Sequence, residues 1–472
     1  MVLTGRAAVL ALVGAGLVGL LVAAGWAAWV ALVVVNVVLG VVLLLDAGLA
    51  APCQDLALTR TGDRRVRLGE VAHVRLAVTN TGRRRWHGTL RDAWAPTANA
   101  TIDGGTDRVD VDLAPGQAGE IDVSVAPSRR GDRPTDRVTL RSLGPLALAG
   151  RQRSITLEWS VRTLPPFTSR RHLPSRLARL RDMDGRQAIA VRAQGTEFDS
   201  LREYVPGDDV RSIDWRATAR AADVMVRTWR PERDRRVVMV LDSGRTSAVR
   251  IGDETRLDIL IDAGLLLAAL AGRAGDRVDL LAHDRRTRLQ VSGGSGPSLL
   301  PALVDGIATL EPELSETDYR GLVSAVLSRV RKRALVVLFV ALDRPAMEEG
   351  LLPALAPLTA RHTVIVASVR EPDGPATPGA PAAAVLAGVP AGSRSSGGGG
   401  GSAGDGGSVR ATARSDAATA YLGAARARAD LDRAHVSTVL ARMGVRVVEA
   451  TPEEIAPKVA DAYLDLKAAG RL

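Results

Sequence analysis

The stretch VVMVLDSGRTS, residues 237–247, decides the fold of the larger domain. Val237–Leu241 is short and purely apolar, the mark of a strand buried on both faces. Asp242 ends it, and Ser243-Gly244-Arg245-Thr246-Ser247 turn the chain. The pattern repeats outward from there. A helical stretch covers about 255–272, and an apolar strand covers Val278–Ala282. Another helix is expected from about 319 to 333, then a strand from Ala334 to Leu342 ending at Asp343, then a strand over Thr363–Ala367. Helix returns at about 415–442, strand at Val445–Val448, and helix from Pro452 to Ala468. Apolar strands alternating with helices predict a parallel sheet covered on both faces, here spanning 237–472. Ligands of such sheets sit at the carboxyl ends of the strands. Asp242 and Asp343 are both placed there. Residues 371–409 interrupt the pattern with Gly, Ala, Pro and Ser, including Gly397–Gly401. They hold too little apolar surface to fold, which predicts a disordered loop within this α/β domain.

Upstream, residues 56–164 read as an all-β domain. Val66 and Leu68, then Val74, Leu76 and Val78, alternate with polar neighbours, and Asn80-Thr81-Gly82 supplies a turn. Short alternating runs follow at Val109–Leu113, Ile121–Val125, Val138–Leu140 and Ile155–Trp159, punctuated by Pro115-Gly116 and Gly131-Asp132. Short strands at this spacing predict an immunoglobulin-like sandwich. Nothing in it looks catalytic.

Residues 1–50 are of another kind. From Ala7 to Leu45 the chain carries no charged residue. One helix crosses the hydrocarbon core with about 20 apolar residues, and this run is nearly twice that length. Gly25, Trp26 and Trp29 lie near its middle, and tryptophan favours the membrane interface. Two spans are expected, about 7–25 and 27–46, forming a transmembrane helical hairpin in the lipid bilayer. A cleaved signal peptide is the rival reading, but only Arg6 precedes the run and a second full-length span follows without a gap. Arg6 on one flank, and Arg60, Arg64, Arg65 and Arg67 on the other, place both ends in the cytoplasm by the positive-inside rule. The pattern Gly14-Ala15-Gly16-Leu17-Val18-Gly19 matches a dinucleotide-binding fingerprint. That fingerprint needs a strand before it and a soluble helix after it, so small residues here read as helix-packing positions.

Charge and cysteine content narrow the function. The net charge of +10 is nearly all arginine, the only lysines being Lys332, Lys458 and Lys467. Basic residues are interleaved with acids throughout, as a GC-rich genome produces. With no polybasic block, zinc-finger spacing or ribonucleoprotein-type motif, nucleic acid is not an expected partner. Cys53 is the single cysteine, which excludes an intramolecular disulfide and a cysteine-rich zinc site. Six scattered histidines show no metalloprotease or triad-like grouping, and no lysine sits in a phosphate-binding loop.

The segment 165–236 is charged and irregular, and within it residues 195–230 read GTEFDSLREYVPGDDVRSIDWRATARAADVMVRTWR. Pro206-Gly207-Asp208 is a strong turn, and Asp208 or Asp209 can cap a helix. Arg202, Arg211, Arg216 and Arg220 alternate with Glu203, Asp208, Asp209 and Asp214. Arginine–carboxylate pairs are directional. Such a set either braces a loop or presents charged hydrogen bonds to a partner. Arg202, Asp208, Arg211, Asp214 and Arg220 are the candidate partner-binding residues. Trp215 and Trp229 are read as core or inter-domain packing.

This stretch resembles the signature of the family known as domain of unknown function 58, carried by Glu197, Leu201, Arg202, Tyr204, Gly207, Asp208, Arg211, Ile213, Asp214, Trp215, Ala219 and Arg220. The flanking order is similar too: membrane hairpin, β-domain, signature, then a von Willebrand factor A-like (Rossmann-like) α/β domain. The resemblance implies neighbourhood with MoxR-type AAA+ ATPases, candidate working partners, and with other membrane or transglutaminase-like proteins, and it supplies no established activity. Many A-like domains hold a divalent cation through Asp-x-Ser-x-Ser after the first strand, with a Thr and an Asp from later loops. Hard oxygen ligands suit magnesium in that frame. This sequence offers Asp242, Gly244 and Thr246, with Thr317 and Asp343 as later ligands, so one hydroxyl is missing and the metal set is degenerate. The expectation is a membrane-anchored protein-binding scaffold without a required cofactor and without enzymatic activity. The alternative is a metal-dependent hydrolase at the cytoplasmic membrane face.

Overall fold

The computed structural model describes residues 2–102, 105–190, 197–206, 208–221, 223–230, 235–294, 296–371 and 406–471. The chain divides into two compact units, Met1–Pro166 with Val304–Leu310, and Phe167–Leu303 with Glu311–Leu472.

The first unit begins with a two-residue strand, β1 (Val2–Leu3), and two apolar helices, α1 (Gly5–Ala23) and α2 (Ala28–Leu49). Both helices are long and apolar enough to cross a membrane by length and composition. The link between them turns at Gly25, whose φ of 96° is costly for any residue with a β-carbon. The helices meet at Gly14, where a β-carbon would lie 2.9 Å from Leu39 and 3.3 Å from Val35. Gly16 and Gly19 have nothing within 4 Å, so of the three glycines in the fingerprint-like run only Gly14 packs a helix. Leu12, Leu20 and Leu44 are exposed, giving the pair an apolar outer face.

Ten strands follow: β2 (Leu56–Gly62), β3 (Arg65–Arg67), β4 (Ala72–Asn80), β5 (Trp86–Trp94), β6 (Ala100–Ile102), β7 (Arg108–Leu113), β8 (Ala118–Val125), β9 (Gly131–Leu143), β10 (Ala149–Ile155) and β11 (Ser160–Leu164). One sheet has the order β2-β4-β8-β6. The other runs β1-β10-β9-β11-β3, with β5 joining β9 to β7. Among the described residues of these two sheets, only β11 and β3 pair in parallel. Alternate residues of β4 are buried, and they share one core with the other sheet: Val74, Leu76, Val78 and Val123 against Trp86, Leu90, Val138 and Leu140. Inside that core Arg60 pairs with Asp92, which also accepts from the Trp94 indole.

The expected strand over Ile155–Trp159 is not formed; β10 ends at Ile155. Thr135 of β9 pins the segment, its amide donating to the Trp159 carbonyl at 2.9 Å. The Thr135 hydroxyl accepts from Trp159 N, and it lies within donating distance of the Leu157 and Trp159 carbonyls. Leu68 likewise falls in a turn beyond β3.

In the second unit, α3 (Leu173–Ala190) precedes a β-hairpin of β12 (Glu197–Glu203) and β13 (Met225–Arg230), which frames the short helix α4 (Trp215–Thr218). A six-stranded sheet follows from β14 (Arg236–Asp242), β15 (Arg277–His283), β16 (Thr287–Gly294), β17 (Leu335–Phe339), β18 (Thr363–Val369) and β19 (Arg446–Ala450). Its order is β16-β15-β14-β17-β18-β19, parallel throughout except for the antiparallel edge β16. Every residue of β17 is buried, as a central strand covered on both faces requires.

Helices α6 (Tyr319–Arg329), α7 (Leu352–Arg361) and α8 (Gly406–Arg442) cover one face, where Leu322, Leu355 and Leu440 meet Val238, Val336 and Val364. On α5 (Arg256–Arg273), Gly264 lies against the Phe339 ring. Between α5 and β15, buried Asp276 holds Lys467 at 2.8 Å from α9 (Pro452–Ala468). Carboxylates bind the preceding segment here: Asp262 accepts from Thr168 and Ser169, and Asp461 and Asp465 pair with Arg176 and Arg179.

Two boundaries differ from expectation. The strand over Ala334–Leu342 stops at Phe339; beyond it the Leu342 amide donates to the side-chain hydroxyl of Ser368 on β18 instead of to a backbone carbonyl. Of the expected loop 371–409, residues 372–405 lie outside the described residues, and α8 begins at Gly406.

Candidate functional site

The carboxyl end of β14 brings three of the four sequence-predicted metal residues together. Asp242 is wholly buried, and its two oxygens receive four donors. The Gly244 amide, at 2.8 Å, and the Thr317 hydroxyl donate to Oδ1. The Tyr319 phenol, at 3.0 Å, and the Thr246 hydroxyl, at 3.4 Å, donate to Oδ2. Burial raises the Asp242 pKa, and these hydrogen bonds pull it back. Burial and the adjacent carboxylate push the Tyr319 phenol far above its ordinary value, so it stays protonated and donates to Asp242.

A carboxylate offers about four lone-pair directions, and all are taken. Gly244 carries no hydroxyl, and the Thr317 hydroxyl fills the space where a side chain at 244 would start, 2.1 Å from the β-carbon position. Asp343 does not join the group: it is exposed, in the loop after β17. Among the described residues no group of three or more His, Cys, Asp or Glu is placed to hold a metal ion. The side chains present do not fit a directly ligated magnesium ion.

The hairpin β12–β13 holds the second candidate surface, and Asp208, Asp209 and Asp214 are consumed within it. Asp208 accepts from Arg202 at 2.5 Å and from the Val205 amide at 3.0 Å, closing the turn. Asp209 accepts from the Arg211 amide. Asp214 caps α4 through the Arg216 and Ala217 amides, both at 3.0 Å, and pairs with Arg227 at 2.7 Å. Arg227 and these amides hold the Asp214 carboxyl below its usual range.

Of the five predicted partner residues, Arg202, Asp208 and Asp214 are therefore braces of the loop. Arg211 and Arg220 are exposed and form no ion pair among the described residues, as is Arg216. Trp215, expected in core or inter-domain packing, is 70% exposed, and Val205 and Val210 stand exposed in the same loop at 55% and 64%. The sequence signal for Trp215 was its position directly after the capping Asp214, which puts it on the first, outward turn of a one-turn helix.

Two apolar helices, a β-rich domain and an α/β domain entered through a charged hairpin define the class of protein. Residues 200–385 match the family described as "Protein of unknown function DUF58". An uncharacterized protein of Mycobacterium tuberculosis and one of Mycobacterium bovis are each 26% identical over 180 residues, 38% of this chain and 56% of theirs. The chain thus matches about half the length of these curated relatives. Among solved structures, the conserved hypothetical protein BatB from Bacteroides thetaiotaomicron aligns over 30% of this chain and 69% of its own, at 16% identity and TM-score 0.24. The CARDB domain of a Pyrococcus furiosus protein aligns over 23% of this chain and 92% of its own, at 16% identity and TM-score 0.16.

Proposed function

We propose that the protein is a membrane-anchored protein-binding scaffold, and that the hairpin of the α/β domain is its docking surface. The observation that carries this reading is the division of labour in the hairpin: Asp208, Asp209 and Asp214 shape the loop, leaving Trp215, Arg211, Arg216 and Arg220 exposed. Exposed tryptophan and arginine are the residue types that dominate binding energy at protein interfaces. The partner face is accordingly acidic with an apolar pocket. A MoxR-type AAA+ ATPase acting in assembly or maturation of other proteins is the partner that the family resemblance suggests.

The anchor in this reading is a two-span hairpin with the remaining domains in the cytoplasm, a β-sandwich of immunoglobulin-like type and an α/β domain of von Willebrand factor A-like type. Support for the anchor comes from the exposed apolar faces of α1 and α2 and from Arg6 and Arg60–Arg67 beside them. The saturated Asp242 favours binding over hydrolysis at the strand ends.

The test is capture of partners from membranes by the detergent-solubilised full chain, followed by mass spectrometry. Trp215→Ala and the charge reversal Arg211→Glu/Arg216→Glu should each reduce capture of the same ATPase at least tenfold, with thermal unfolding unchanged. Equal capture by wild type and both variants would refute the docking surface.

A further inference from the structure

Behind the saturated Asp242, a cavity of about 360 Å³ opens at the carboxyl ends of β14, β17 and β18. Its lining includes Arg256, Asp343, Arg344, Glu371, Asp432 and Arg433. Three of these six charges, Arg344, Asp432 and Arg433, are engaged with one another or with neighbours. Arg344 pairs with Asp432 at 3.0 Å and Glu348 at 2.9 Å. Arg433 pairs with Glu449 at 3.1 Å and with Asp430.

Arg256 is different. Its Nη1 donates to the Thr246 carbonyl at 2.6 Å, while Nε is shut off from solvent with no acceptor. No carboxylate forms an ion pair with it among the described residues. Glu371 and Asp343 act on it only through space, and burial pushes the guanidinium below its ordinary value. A largely buried arginine without an ion-pair partner, at the edge of a cavity where α/β sheets bind ligands, marks the place of an anionic group.

We propose that this cavity is a carboxylate-binding site in which Arg256 supplies the cation. The planar guanidinium fork matches a carboxylate edge. A single uncommitted cation beside two exposed acids favours a monoanion over a phosphate dianion, which Asp343 and Glu371 would repel. The site does not depend on the hairpin surface. It takes a carboxylate either from a free small acid or from an acidic side chain of a bound protein.

The experiment is titration calorimetry on the full chain in detergent. The probes are sodium acetate, an end-blocked hexapeptide with one central glutamate, its glutamine counterpart, and inorganic phosphate. Binding of the glutamate peptide, with the glutamine peptide at least tenfold weaker, is expected. Acetate binding as tightly as the peptide assigns the site to free acids, and peptide binding alone assigns it to a protein side chain.

Arg256→Met should weaken the bound probe at least tenfold, and Arg256→Lys, which keeps the charge without the fork, should fall between. Glu371→Gln should tighten binding severalfold by removing a competing carboxylate. The proposal is overturned if no carboxylate probe binds, if phosphate binds more tightly than every carboxylate, or if Arg256→Met binds as wild type. Loss of binding in Glu371→Gln also overturns it.

Discussion

The hydroxyl of Thr317 stands 2.1 Å from the point where a β-carbon on Gly244 would be. Gly244 has φ −80° and ψ −172°, angles open to any residue, so space and not backbone strain keeps it glycine. Restoring the missing hydroxyl of the metal pattern is thus not a simple addition, because Thr317 occupies its room and bonds Asp242 directly. Gly244→Ser should destabilise the domain by about 1–3 kcal/mol, the usual cost of overpacking. It should create no magnesium-dependent rise in melting temperature. Adding Thr317→Ala should recover part of the loss, so the double variant falls short of the sum of the singles. Additive losses, or a magnesium shift in Gly244→Ser alone, would show that the two side chains do not compete.

A second relationship joins the apolar helices to the β-domain. Asp46, near the end of α2, is buried and accepts from the Leu146, Leu148 and Ala149 amides, each at 2.8 Å. Before α1, Thr4 donates to the Ala147 carbonyl at 2.7 Å, so both ends of the helix pair are tied to one turn. A hydrogen bond to a charged group contributes about 1.5–3 kcal/mol, and Asp46→Ala removes three at once. Hydrogen exchange at these amides should accelerate at least a hundredfold in Asp46→Ala, with Asp46→Asn intermediate. Unchanged exchange would mean that the turn is held by its strands alone.

Acid should open the hairpin. Folding lowers the Asp214 pKa below the ordinary carboxylate value of 3.8, first through Arg227 and then through the Ala217 amide. The stability this carboxylate contributes is complete above 3.8 and is lost as pH falls through its lower, folded value. Exchange protection of the Arg216 and Ala217 amides, corrected for intrinsic rates, should stay flat from pH 6 to 4 and drop below that. Asp214→Ala should lack the protection at every pH, whereas Arg211→Glu should keep it. A protected α4 in Asp214→Ala would remove the brace.

What the sequence made legible follows from how local each signal is. Val237–Leu241 and Pro452–Ala468 were readable because burial on both faces, or a proline at a helix start, leaves its mark in the residues themselves. Strand β5 was not. Its buried face carries Trp86, Gly88, Leu90 and Asp92, and an acid breaks the apolar alternation unless Arg60, distant in sequence, neutralises it. Helix α7 was hidden by Pro353 at its start and Pro357 within it. At the strand ends the grouping of Asp242 with Thr246 and Thr317 was legible from the motif. The exposure of Trp215 and the lack of an ion-pair partner for Arg256 among the described residues were not, since both depend on what the folded chain leaves uncovered.

The membrane orientation can be tested with single cysteines, but Cys53 cannot serve as the reporter. Its thiol is buried in the β-domain core, beside the Arg151 carbonyl at 3.5 Å, and burial raises its pKa, leaving little thiolate to react. The native protein should therefore resist a membrane-impermeant maleimide both in intact and in permeabilised cells. That silence makes it a clean background. Trp26→Cys lies in the link between α1 and α2, and Arg83→Cys lies on an exposed turn of the β-domain. With two spans and cytoplasmic domains, Trp26→Cys should label in intact cells and Arg83→Cys only after permeabilisation. The reverse pattern would invert the topology. Labelling of Arg83→Cys in intact cells, together with an N-terminus cut away before Arg60, would show a signal peptide instead of an anchor.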